Sequence, residues 1–117
     1  MSPTTALSLL QGTADLLILR ALQGGAAHGY AISRWVRERT EGVLAIEDAA
    51  LYQALHRLEA RGWIEAEWGL SENNRKAKYY RLTPEGRKQL AAHKSRWDEV
   101  VRAIGRIMNP APEEETS

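Results

Sequence analysis

A mainly α-helical domain with one small β-hairpin, closed by a long C-terminal helix, is the fold this sequence predicts, and three observations predict it. Residues 46 to 64 read as a helix, a glycine stop and the start of a strand. Leu51, Leu55 and Leu58 fall at i, i+4 and i+7, and Gly62 follows them. Two short alternating runs come next, joined by a polar, basic turn. Thr83-Pro84-Glu85 then supplies a cap, a proline at the first helical position and a first-turn acid, opening a helix that runs to about residue 108. A helix followed by a hairpin is how a winged helix-turn-helix ends, which makes the chain α+β.

The 117 residues suffice for one domain with a modest core. Residues 1–11 read as a loosely held arm, with a helical turn near Ala6–Leu10. Thr13 is expected to cap the first helix and Asp15 to sit in its first turn. Leu16, Leu19 and Gln23 share one face of that helix, Ile18 and Leu22 a neighbouring flank, and Gly24-Gly25 stops it. The second helix runs from His28 or Gly29 to Arg39 with Ile32, Trp35 and Val36 as its apolar stripe. Tyr30 is read as either core packing or a phosphate contact. Val43–Ile46 is a short apolar run expected as a stub strand, and Glu47 or Asp48 is expected to cap the third helix with its carboxylate. Ile64, Ala66 and Trp68 alternate with Glu65 and Glu67, the pattern of a half-buried strand. Gly69 to Ala77 is the turn, with Asn73-Asn74 at its tip, and Tyr80 and Leu82 alternate back with Tyr79 and Arg81.

In the last helix Leu90, Trp97 and Ile104 repeat every seven residues. His93, Val100 and Ile107 make a second row, and Val101 and Met108 widen the stripe. A small domain does not cover so long an apolar face alone, so these eight residues are expected to form the interface of a homodimer. Residues 1–83 would then be the winged helix-turn-helix, 84–108 the dimerisation helix, and 109–117 a disordered acidic tail carrying Glu113, Glu114 and Glu115.

Several function classes are not expected. The chain has no cysteine, and His28, His56 and His93 fall in three separate elements. No HExxH, phosphate-binding glycine loop or GxSxG occurs, so neither an enzyme, a metal site nor a cofactor is expected. The N-terminus lacks a basic leader, and the longest strongly apolar run, Leu16–Leu19, is far too short to span a bilayer. A cytoplasmic protein without a membrane partner is the expectation.

Sixteen basic residues nearly cancel fifteen acidic ones. Any electrostatic footprint for nucleic acid must therefore be confined to one face, and Arg75, Lys76, Lys78 and Arg81 mark the hairpin as that face. The major groove of duplex DNA admits one α-helix, and base edges are read there. The outer face of the third helix carries the candidates. Gln53 can pair with adenine, and Arg57 can reach guanine or a phosphate. Ala49 and Ala50 permit close approach. Tyr52 is either a core-edge aromatic or a phosphate contact, and His56 either an exposed histidine or a DNA contact. Arg75, Lys76 and Lys78 would neutralise phosphates, contributing affinity and salt dependence rather than sequence choice. The alternative is a winged helix used only for protein–protein contact, consistent with the near-neutral charge. Trp97 is either dimer-core packing or, with its symmetry mate, one wall of a cavity for a planar apolar effector.

Taken together these segments resemble the PadR family of bacterial transcriptional regulators over roughly residues 9 to 108. The resemblance is carried by Gly12-Thr13 with Asp15–Leu19, by His28-Gly29-Tyr30, and by Leu51-Tyr52 with Ala54–Glu59. Gly62-Trp63-Ile64, then Tyr79-Tyr80 with Leu82-Thr83 and Gly86, complete it. The single C-terminal helix resembles the short subgroup, and Trp68–Arg75 is similar to its acidobacterial-type branch. The resemblance implies a homodimeric regulator, a repressor on a palindromic operator, and, as in some relatives that bind drugs or aromatic compounds, a ligand stacked on Trp97. Ala50 stands where members often carry serine or threonine, and Gln53 where many carry proline. The operator sequence is thus not implied.

Overall fold

The computed structural model describes residues 12–109. The N-terminal arm, its helical turn and the acidic tail after Asn109 lie outside the described residues. In chain order the elements are α1 (Thr13–Leu22), β1 (Ala27–His28), α2 (Gly29–Arg39), α3 (Asp48–Ala60), β2 (Ile64–Leu70), β3 (Lys76–Leu82) and α4 (Pro84–Met108). The three strands form one antiparallel sheet in the order β1-β3-β2, with Ala27 opposite Tyr80 and Ile64 opposite Leu82.

The helices pack by the stripes that the apolar spacing predicts. Ile18, Leu19 and Leu22 of α1, Ile32 and Val36 of α2, and Leu51, Leu55 and Leu58 of α3 are all buried in one core. Ala54 joins them because it lies on the same side of α3, and its single methyl lets α3 approach closely. On α1 the buried face centres on Ile18 and Leu22, and Gln23 is exposed, so the face expected through Leu16, Leu19 and Gln23 is turned. Trp35 sits at the edge between two guanidinium groups, with Arg20 5.7 Å and Arg39 5.4 Å from its ring centre.

Three local expectations fail for identifiable reasons. Thr13 does not cap α1: it is itself the first helical residue and is buried, and Gly12 holds the cap position at φ 85° with no side-chain bond. Glu47 occupies the cap position of α3 without a side-chain hydrogen bond, and Asp48 already lies within the helix. Acids there act on the helix dipole rather than as caps. Val43–Ile46 forms no strand. The Thr40 hydroxyl accepts from the Leu44 amide at 3.0 Å and bonds the Leu44 carbonyl at 3.2 Å, so this backbone is satisfied locally. The third strand is instead Ala27–His28, a two-residue element too short to show a period.

The hairpin is longer than its turn-rich composition suggests. Gly69–Leu70 pairs with Lys76–Ala77, leaving only residues 71–75 as the turn, with Asn74 at φ 59°. Ile64, Tyr80 and Leu82 rest on the core, but beyond Ala66 the hairpin outruns the helices. Trp68, expected half-buried by alternation, is therefore exposed.

The first turn of α4 is welded to this unit. The Thr83 hydroxyl accepts from the Gly86 amide (3.0 Å) and donates to the Gly62 carbonyl (2.6 Å). A Cβ on Gly86 would fall 1.9 Å from the Trp63 carbonyl oxygen, so only glycine lets α4 pass this close to the start of β2. Leu90, expected in the dimer interface, is 5% exposed in the chain's own core instead. His93, expected there too, packs edge-on against Trp63 with ring centres 5.6 Å apart. The cause of the Leu90 correction is that the first turns of α4 lie over the domain, and only the later ones leave it. Past Trp97 the stripe has no cover among the described residues, with Val100, Val101, Ile104, Ile107 and Met108 all exposed.

Candidate nucleic-acid interface

With Leu51, Leu55 and Leu58 turned inward, α3 presents Ala49, Ala50, Gln53, His56 and Ala60 to solvent as an open ridge. One flank of the ridge faces the wing, the hairpin β2–β3. Here Tyr52 lies across the first turn of α2, where a Cβ on Gly29 would come within 3.0 Å of its hydroxyl. Gly29 thus makes room for the Tyr52 ring, and this explains the pairing of His28-Gly29-Tyr30 with Leu51-Tyr52 in one sequence. His28 caps α2 by accepting the Ala31 amide at Nδ1 (3.1 Å), and its ring stands edge-on to Tyr79 at 5.4 Å.

Between the start of α2, Tyr52 and the wing runs a groove of about 800 Å³. Its lining combines aromatic rings with cations: Tyr30, Tyr52 and Trp68 beside Arg34, Arg75, Lys76 and Lys78, with Glu72 as its acid. Tyr30 is 62% exposed, which removes core packing from its two alternatives. Two positions before Ile32, it sits about 200° around α2 from the buried stripe. Arg34 and Trp68 were not legible as site residues. Their signal exists only once α2 and the wing are brought together.

The expected cations are not all free. Lys78 bonds Glu59 at 3.3 Å and stands 5.7 Å from the Tyr80 ring, tying the wing to α3. Lys76 lies over Trp68 at 5.0 Å. On the other flank of α3, Arg57 is held by Asp15 of α1 through Nε (3.4 Å) and Nη2 (2.5 Å). The ridge residues Gln53 and His56, and Arg75 at the turn, make no side-chain hydrogen bond or ion pair among the described residues. No group of three or more His, Cys, Asp or Glu side chains that could hold a metal is found among the described residues.

The family model for "Transcriptional regulator PadR-like family" matches residues 18–92, which spans the core, the ridge and the wing. The chain belongs to this PadR-like family. It is 33% identical to a transcriptional regulator from Clostridium thermocellum of known structure, at a TM-score of 0.77 over 85% of this chain and 96% of that one. A PadR family regulator from hypervirulent Clostridium difficile R20291 is 30% identical, with a TM-score of 0.73 over 84% of this chain and all of its own. An uncharacterised protein of Lysinibacillus sphaericus is 35% identical over 100 residues, covering 86% of this chain and 92% of that one. The chain is thus a DNA-binding transcriptional regulator with a winged-helix fold, and not an enzyme. No described helix is long and apolar enough to cross a membrane.

Proposed function

We propose that the chain binds double-stranded DNA as a homodimer, with α3 in the major groove and the wing on the adjacent backbone. The observation that carries this reading is the uncharged ridge of α3 standing beside a groove of aromatic rings and cations. A ridge of Ala49, Ala50, Gln53 and His56 is short enough to approach base edges, and Gln53 matches adenine's paired donor and acceptor. The groove suits a phosphate backbone: Arg34, Arg75 and Lys76 supply charge, Tyr30 and Tyr52 supply hydroxyls, and the N-terminus of α2 opens into it.

One helix reads too few base pairs to choose a genomic site, so two are needed. The exposed stripe Val100, Val101, Ile104, Ile107 and Met108, with Trp97 at its start, supplies the second subunit by pairing with its own copy. Residues up to about 93 then act as the DNA-binding unit and the rest of α4 as the dimer contact. A palindromic operator with half-sites about 34 Å apart follows from two-fold symmetry, and occupancy of a promoter would make the protein a cytoplasmic repressor. A planar apolar effector between the two Trp97 rings would act by preferring one angle between the wings.

DNA binding measured against salt tests the reading. The expected result is an affinity that falls steeply as salt rises, because each neutralised phosphate releases counterions. No measurable affinity for duplex DNA at low salt would leave a protein-contact module as the function.

A further inference from the structure

Arg57 is, by residue type and position, the natural guanine reader of α3, yet the structure has already engaged it. Asp15 is one of two buried polar side chains among the described residues, 7% exposed, and the only bonds to its carboxylate come from the Nε and Nη2 of Arg57. An arginine has five N–H donors in a rigid plane, and this grip uses one edge of it. The rest of the plane is open, since the Arg57 side chain is 45% exposed. Held by that edge, Arg57 keeps the Nη hydrogens at the end of its plane for one further acceptor, so where the helix points that end decides what it meets.

Its direction matters as well. Tyr52 and Arg57 lie about 140° apart around the helix axis, on opposite flanks of the Ala49–Gln53–His56 ridge. A helix in the major groove has a phosphate backbone on each side. Tyr52 and the wing groove face one, which leaves Arg57 toward the other.

We propose that Asp15 is a positioning residue that pre-sets Arg57 as a phosphate anchor, so that Arg57 contributes grip on the second backbone and no base preference. This rests on the reading that α3 enters the major groove. Asp15 then works against its own sign: an acid beside a DNA-binding face strengthens binding, because it fixes the plane through which Arg57 meets the phosphate. A carboxylate acting only through its charge would do the opposite.

The test uses the full chain, a duplex selected by the wild type from a random-sequence pool, and a shuffled duplex of equal length, titrated at several salt concentrations. Arg57→Gln is expected to weaken both duplexes by about the same factor, roughly tenfold, and to lower the salt slope by about one per subunit. Selection with that variant recovers the same sequence. Asp15→Asn raises the net charge by one and is nonetheless expected to weaken both duplexes several-fold, with partial recovery in Asp15→Glu. The double variant Asp15→Asn/Arg57→Gln restores a neutral pair and, if Arg57→Gln fails to fold, carries the same comparison. Tighter binding by Asp15→Asn, or a changed selected sequence with either Arg57 variant, would overturn the proposal. Wild-type protein that selects no sequence at all would overturn the placement of α3, and is distinguishable from both.

Discussion

The two halves of α4 carry one apolar pattern and meet two environments. Leu90 and Ile104 are both on the seven-residue repeat, but Leu90 is 5% exposed and Ile104 50%. The early turns are drawn onto the domain by the Thr83 cap, by the close pass of Gly86 under the Trp63 carbonyl, and by His93 against Trp63. The later turns stand clear of it. Periodicity reports which side of a helix is apolar. It does not report whether the cover comes from the same chain or from another, and here the cover that the described residues supply ends partway along one helix.

That contrast predicts different kinds of damage from similar substitutions. Leu90→Ala removes a buried side chain from the core and is expected to cost about 2–5 kcal/mol of folding stability, seen as a lower midpoint in urea unfolding of the dilute protein. Ile104→Glu is expected to leave circular dichroism of the winged-helix unit intact while converting dimer to monomer in sedimentation, with specific DNA affinity lost alongside. A Leu90→Ala protein that dissociates without losing stability would erase the distinction between the halves.

The smallest expected effect lies at the boundary, at His93. Burial against Trp63 lowers its pKa below the ordinary 6.5, Arg96 and Arg61 lower it further, and Asp15 opposes them. A histidine whose folded pKa is depressed binds its proton more readily when unfolded. Its contribution to stability is therefore complete above about pH 6.5 and is lost as pH falls toward the folded value. Thermal midpoints measured at pH 7.5 and 5.5 should show a modest drop that His93→Gln reduces. An unchanged slope in that variant would place the pH dependence elsewhere.

Much of the fold was legible because its signals are local. The Leu51, Leu55 and Leu58 stripe, the Gly62 stop at φ 77° and the Thr83-Pro84 opening each depend on neighbours in sequence. The failures depend on partners far along the chain. Arg57 reads as a free cation until Asp15, from α1, is placed beside it. Tyr30 stays open between core and phosphate contact until α2 is rotated to bury Ile32 and Val36. Trp68 reads as half-buried until the hairpin is seen to outrun the helices. The Val43–Ile46 run has the composition of a strand, but the Thr40 side chain takes the hydrogen bonds a strand would need. The exposed face of α3 was legible from its helical period, and Tyr52 and Tyr30 were weighed one by one, while the groove that brings them together with Trp68 and Arg34 was not, because it joins residues from three elements.

Two α3 helices held at a fixed distance by the exposed half of α4 are the centre of this account. Sequencing the duplexes that the full chain retains from a random pool tests it most directly. The account predicts inverted repeats whose half-site centres lie about one helical turn apart. Recovery of single, unpaired half-sites, or of no common sequence, would contradict it.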